Sequence, residues 1–428
     1  RRLEALGVDT AADRSLLSGL RARADARSEA IEAIMQALDE DPSRSEDWLH
    51  YAQLLEAEEE FALALEANER CLTLNRQTGE AWALKARILS MKKGHERDAL
   101  KASTHAVALG AGGVDAIFLK AELLEIEGSR VAAEETLIKA IEAEPMNGEL
   151  RARIAGRYLL NHHIEDAEAM LNATPQGIDH ALLHAVEGRL HLAHADRQRD
   201  GTGQTDETLL SAAKEAFNGA LELNRELGVA WLGLARTQRL LLQLETAEES
   251  LARARRLMGE ANPSVATESA LLALDGNDIV TASSFVDAAD VHGQTPTTAY
   301  VRGNIAAKQG RLKQALQHYS EGLALDPAHI RARLNRCAAL LATNEPKKAL
   351  DDAESLLVMA PLLAIARIRK GEAHMHLEEW DLACQEFKHV LENAPHHTHA
   401  LTQMAACYMS MDRAERAEGP LNEALRQS

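Results

Sequence analysis

The stretch TAYVRGNIAAKQGRLKQALQHYSEGLALDPAHI, residues 298–330, decides how the chain folds, because its landmarks recur downstream at a fixed interval. Pro327, Pro361 and Pro395 lie 34 residues apart, and Ala315, Ala349, Ala383 and Ala417 keep the same spacing. Tyr319, Ala353, Phe387 and Leu421 each follow one of these alanines by four residues. Gly303, the small residues around Cys337, Gly371 and Ala405 mark a first helix in each period, and the alanines mark a second. Such a period predicts stacked helix-turn-helix repeats rather than one closed core. Two helices can approach closely only where the crossing residues are no larger than Ala or Gly. The turn between them needs a left-handed backbone, expected at Gly128, Gly276, Gly310 and Asn344. Proline after the second helix cannot continue it and sends the chain back.

Together Tyr300, Gly303, Gly310, Ala315, Tyr319, Gly322, Asp326 and Pro327 resemble the tetratricopeptide repeat. The resemblance implies an all-α fold, an α-solenoid in which the repeats stack as a right-handed superhelix with the first helices along its concave face. The 34-residue interval divides the chain into twelve repeats near 11–44, 45–78, 79–113, 114–147, 148–180, 181–227, 228–261, 262–295, 296–329, 330–363, 364–397 and 398–428. The sixth carries an expected insertion at 196–208, a polar stretch with Gly201 and Gly203 that reads as an exposed, protease-sensitive loop. The chain starts at Arg1 without a methionine and stops at Ser428 inside a second helix, so a single array cut at both ends is expected.

Composition narrows the function. The 428 residues carry 66 acidic and 47 basic side chains, a net charge of −19 that repels phosphate backbones and argues against nucleic-acid binding. The longest apolar run, 356–366, is too short to span a bilayer and contains Pro361, so no membrane insertion is expected. Cys71, Cys337, Cys384 and Cys407 form no CxxC pair and read as reduced core residues, which favours the cytoplasm over a bacterial periplasm. Phosphate loops, nucleophile elbows, HExxH helices and paired zinc knuckles do not occur, so neither an enzyme nor a cofactor or metal is expected. His180, His184, His191 and His194 share a stripe with Glu187, and its position predicts packing inside the repeat rather than metal binding. From Glu29 to Glu69 there are 13 acidic residues and one basic residue, Arg44, which reads as a solvated face.

Against that acidic background, residues 298–370 hold 12 basic and 6 acidic residues. Several of the basic ones, including Arg302, Lys308, Arg331 and Arg369, fall on first helices, and a basic groove would favour an acidic peptide or a terminal carboxylate. Some proteins of the family grip a peptide's C-terminal carboxylates with Lys and Asn, then Asn, then Lys and Arg on three successive first helices. The resemblance places Tyr300 and Asn304, then Asn335, then Ile365 and Arg369 there. Asn304, Asn335 and Arg369, helped by Lys308 and Arg331, are therefore the expected contacts to an acidic segment in repeats nine to eleven.

The reading that follows is a non-enzymatic scaffold that binds a protein or peptide in its concave groove. One alternative is the regulatory or substrate-presenting region of a larger transferase. Another is a periplasmic component of bacterial exopolysaccharide export or protein sorting, since residues 121–171 loosely resemble the repeat lipoproteins of such systems.

Overall fold

The computed structural model describes residues 11–23 and 27–427; the chain ends at Arg1 and Ser428 lie outside them. Among the described residues there are 24 α-helices, one single-turn 3-10 helix and no strand. In chain order the helices are α1 (Ala11–Arg23), α2 (Arg27–Glu40), α3 (Ser45–Ala57), α4 (Phe61–Leu74), α5 (Gly79–Ser90), α6 (Glu96–Ala108), α7 (Gly113–Ile126) and α8 (Arg130–Ala143). Then come α9 (Gly148–Leu160), α10 (Ile164–Asn172), α11 (Ala181–Thr202), α12 (Glu207–Leu223), α13 (Gly228–Leu240), α14 (Leu244–Met258), α15 (Pro263–Asp275) and α16 (Ile279–Ala289). The last are α17 (Pro296–Lys308), α18 (Leu312–Leu325), α19 (Ile330–Ala342), α20 (Pro346–Met359), α21 (Ala364–His376), α22 (Trp380–Asn393), α23 (Thr398–Ser410) and α24 (Ala414–Gln427). Packing divides the chain into two compact bodies, Arg1–Ile154 and Ala155–Ser428.

Odd-numbered helices are the first helices of the repeats and even-numbered ones the second. The alanines that keep the 34-residue interval are sealed between them: Ala315, Ala349 and Ala383 are 0% exposed and Ala417 1%. The largest fully buried rings lie beside such alanines, Tyr319 by Ala315, Phe387 by Ala383 and Phe217 by Ala213. Each faces a glycine: a Cβ built on Gly303 would come within 2.3 Å of the Tyr319 ring, and one on Gly371 within 2.7 Å of Phe387. Phe217 is met from two first helices, by Gly188 on α11 and Gly233 on α13. Burying such a ring contributes roughly 1.5–3 kcal/mol, and it fits only because the facing residue has no side chain.

The first helix of a repeat ends in a left-handed residue followed by a backbone bond back over the last turn. Arg311 N–H donates to Ala306 O at 2.9 Å, Glu345 N–H to Leu340 O at 2.8 Å and Glu379 N–H to His374 O at 2.9 Å. Gly128, Gly310 and Asn344 hold the left-handed position as expected. Gly276 does not: its φ is −74°, and the next residue, Asn277, takes φ 61°. Elsewhere Glu59, His162, Leu242, Glu378 and Asp412 adopt it, so the repeat's hydrogen bonding imposes the turn on residues that resist it by about 1–2 kcal/mol.

A second recurring device closes the entry to the first helix. The indoles of Trp48, Trp82 and Trp231 donate to the carbonyls of Pro42, Arg76 and Arg225, each six residues earlier, at 2.8–2.9 Å. Arg333 does the same for Pro327 O at 2.6 Å. These tryptophans are half-buried, with the ring packed and its N–H kept for the preceding turn. Three of the four thiols, Cys71, Cys337 and Cys407, are buried and all four are free. Burial pushes the Cys337 thiol up to about 12.

Three expectations need correction. Residues 196–202 are not a loop but the last two turns of α11, which ends only where Gly203 turns left-handed at φ 81°. Asp196, Arg199 and Asp200 at helical spacing support those turns, and they are held by contacts described below. The histidine stripe packs only at the edge of the repeat: Leu183, Val186 and Leu190 take the inward places, while the stripe's histidines are half-buried and His184 lies against Gly219 of α12. His184 meets Asp179 at 2.9 Å and His194 meets Glu168 at 3.5 Å at the margin. Nor is the acidic run wholly solvated: Asp47 is 2% exposed and accepts from Ser15 Oγ at 2.6 Å, while Glu56 is paired with Arg87 at 2.6 Å.

If the alanines are crossing points, Ala315→Leu or Ala349→Leu must force the helices of a repeat apart. Each should cost about 1–3 kcal/mol in a denaturant melt, and a melt that overlays the parent would show that these residues do not set the approach.

Candidate protein-binding groove

In the C-terminal body the first helices α11, α13, α15, α17, α19 and α21 present one face each to a groove of about 3030 Å³. The helical period decides which side chains reach it: Thr297, Tyr300, Asn304 and Lys308 from α17 recur at three- and four-residue steps, as do Arg331, Leu334 and Ala338 from α19.

Of the residues singled out from the sequence, the structure brings two into contact. Asn335 Nδ2 donates to Asn304 Oδ1 at 2.8 Å, and the Tyr319 hydroxyl donates to the same oxygen at 2.8 Å. Burial pushes the Tyr319 phenol well above its ordinary value, so it stays a donor. Lys308 lines the same groove, but its Nζ donates to Leu274 O at 2.7 Å and Asn277 Oδ1 at 3.3 Å, closing the end of α15. Arg331 lines it too and is ion-paired across it. Arg369 is not part of the groove lining; it turns along its own helix to Glu372 at 2.7 Å.

Neighbouring acidic residues meet most of the basic excess of residues 298–370. Arg302 pairs with Asp287 and Asp290, both at 2.8 Å, and Arg333 and Arg336 share Asp352, which is 3% exposed. Arg367 and Lys370 share Glu386 on α22 at 3.4 and 3.0 Å. Pairs of this kind hold a first helix to a second helix.

The most extensive electrostatic feature of the groove has no signature in the local sequence. The final turns of α11 reach α19, where Arg331 Nη2 meets Asp196 Oδ1 at 2.7 Å and Nε meets Asp200 Oδ1 at 2.8 Å, partners 135 and 131 residues apart. Asp196 also accepts from Arg199 at 2.7 Å and from Arg236 on α13. Gly203 at the tip of α11 sits beside Leu363 in the turn before α21. The segment expected to be a loose insertion is thus a strap between repeats six and ten. The pattern Asp196, Arg199, Asp200 could have argued for continued helix; its partner on α19 could not have been read.

Burial by itself would raise the Asp196 carboxyl, but Arg236, Arg331 and Arg199 outweigh it and hold the group below the usual carboxylate range. A depressed folded pKa contributes stability that is complete above the unfolded value near 3.9 and is lost as pH falls through the lower folded value. Asp196→Asn should therefore cost about 1–3 kcal/mol at neutral pH. Thermal melts should show that difference unchanged from about pH 7 to 5 and shrinking below about pH 4; a difference independent of pH would mean that the carboxylate charge does not hold the strap.

Among the described residues, no trio of His, Cys, Asp or Glu is arranged to hold a metal ion, and no helix is long and apolar enough to cross a membrane. A family model described as Tetratricopeptide repeat matches residues 296–329, the repeat built from α17 and α18. Hsp70-Hsp90 organizing protein 3 of Arabidopsis thaliana is 26% identical over 117 residues, 27% of this chain and 21% of that protein. A DnaJ homolog subfamily C member 7 homolog of Schizosaccharomyces pombe is 28% identical over 95 residues, 21% of this chain and 20% of that protein. The chain thus spans about a fifth of the length of the curated relatives it matches. Among solved structures, the human IFIT1 dimer with m7Gppp-AAAA superposes with a TM-score of 0.51 at 15% identity, over 82% of this chain and 90% of that one, a likeness of fold. The recurring helix pairs, the sealed alanines and the matched repeat at 296–329 together support a tetratricopeptide-repeat protein.

Proposed function

We propose that this protein is a non-catalytic scaffold whose C-terminal groove binds an extended segment of a partner protein. The observation that carries the reading is the Asn304–Asn335 pair. Asn304 Oδ1 accepts both bonds on the protein side, so the Asn304 amide hydrogens and Asn335 Oδ1 take no part in them. An extended chain offers alternating carbonyls and N–H groups, and a donor and an acceptor on adjacent first helices match that alternation. Apolar Leu334 and Ile365 line the same groove and supply contact for side chains.

Lys308 and Arg331, engaged with α15 and α11, shape the walls and add positive potential that favours an acidic segment. Arg369 lies off this path. The similarity to Hsp70-Hsp90 organizing proteins supports a protein partner, since those relatives are named for organising other proteins; it covers 27% of this chain, so the partner's identity is not carried over.

A library of random twelve-residue peptides selected on the full chain would test this. Selected peptides should lose affinity on the order of tenfold with Asn304→Ala/Asn335→Ala, and should lose binding when Ala338→Trp fills the groove. Peptides that bind both variants as they bind the parent would refute groove binding.

A further inference from the structure

On this wall of the groove cations outnumber carboxylates. Arg199, Arg236 and Arg331 converge on Asp196 and Asp200, and Arg189 is the next cation beyond Arg236, so four cations stand against two anions in a chain whose net charge is −19. Other cations of the groove are satisfied: Arg239 meets Glu268 at 2.5 Å and Asp275 at 2.9 Å, and Lys308 caps α15. Arg189 is different. It is half-buried on the groove wall, and its Nη1 reaches toward α9, 3.5 Å from where a Cβ on Gly156 would stand, which is ordinary contact distance. Burial lowers its pKa first, and the neighbour that lowers it further is another cation, Arg236. No carboxylate among the described residues pairs with it.

We propose that Arg189, with Arg236 beside it, binds a carboxylate of the segment that occupies the groove. This rests on the groove reading above and adds the chemistry that selects the occupant. Asp196 demonstrates the geometry from within: one carboxylate accepts from Arg199 and Arg331 at 2.7 Å and from Arg236 in the same wall. Guanidinium and carboxylate form parallel charge-assisted bonds, which are stronger than neutral ones. A third carboxylate would meet the unmatched charge of the cluster. The site is local, because at physiological salt the chain's net negative charge is screened beyond about 8 Å. An acidic side chain and a chain-terminal carboxylate share this chemistry.

The test uses the full chain and three fluorescently labelled probes: hexaglutamate with an amidated C-terminus, hexaglutamate with a free one, and hexaglutamine. Amidated hexaglutamate should bind the parent more weakly as salt rises, and Arg189→Gln should weaken it on the order of tenfold. Hexaglutamine should not bind. Binding only by the free-terminus probe, lost with Arg189→Gln, would support the site and assign it to a chain terminus. Because Arg189→Gln removes an unneutralised half-buried charge, its thermal midpoint should stay level or rise, which separates lost binding from unfolding. Equal affinity of parent and Arg189→Gln, or no binding of either acidic probe to the parent, would overturn the proposal. If affinity survives Arg189→Gln but not Ala338→Trp, the groove stands without this site; if it survives both, the groove reading falls too.

Discussion

A glycine on one helix lying against the ring of an aromatic on the next is the contact on which this architecture depends. At Gly303 and Tyr319, Gly371 and Phe387, and around Phe217, any added side-chain atom would lie inside the ring's van der Waals surface. The approach fixes the distance between the helices of a repeat and so the place where the next first helix begins. It also reaches the groove directly. The Tyr319 ring lies under Gly303 while its hydroxyl emerges at Asn304, so the residue that sets the packing also orients the amide pair.

Among the described residues these contacts serve no single central core. Buried clusters follow one another along the chain, each made by adjacent helices, such as Ala235, Leu251 and Leu272 or Ile368, Phe387 and Cys407. Stability in such an array is local, and neighbours must be tied to one another. Within a repeat, buried and half-buried ion pairs tie the first helix to the second, Asp352 beneath Arg333 and Arg336 and Glu386 beneath Arg367 and Lys370, and Lys370 also reaches Glu354 of the preceding repeat at 3.6 Å. Removing one partner of such a pair leaves a costly uncompensated charge, so they set alignment more than they add net stability. The Asp196–Arg331 strap departs from this nearest-neighbour scheme by joining α11 to α19.

Features with a local cause were legible in the sequence. The sealed alanines, the glycines opposite rings, the prolines after second helices and the left-handed Gly128, Gly310 and Asn344 all follow from what a single repeat demands. Gly276 was misplaced by one residue because the turn is set by the bond from Asp278 N–H to Ala273 O, and that register leaves Asn277 in the left-handed position. The end of α11 was misread because two glycines and a run of polar residues resemble a loop, whereas the ion pairs that hold it come from 131 and 135 residues away. Arg369 shares its repeat position with Asn335 but turns to Glu372, so equal register did not bring equal orientation. Arg189 left no motif; its lack of a partner emerges only when its surroundings are assembled.

The most direct measurement of the central claim is a double-mutant cycle on Gly371 and Phe387, read by denaturant unfolding. Gly371→Ala should crowd the ring and Phe387→Leu should leave a partial void, so each alone destabilises. If the close approach governs the repeat, the smaller side chain makes room for the added methyl. The double variant should then be more stable than the sum of the single losses predicts, by about 1 kcal/mol or more. Losses that add to within about 0.5 kcal/mol would contradict it.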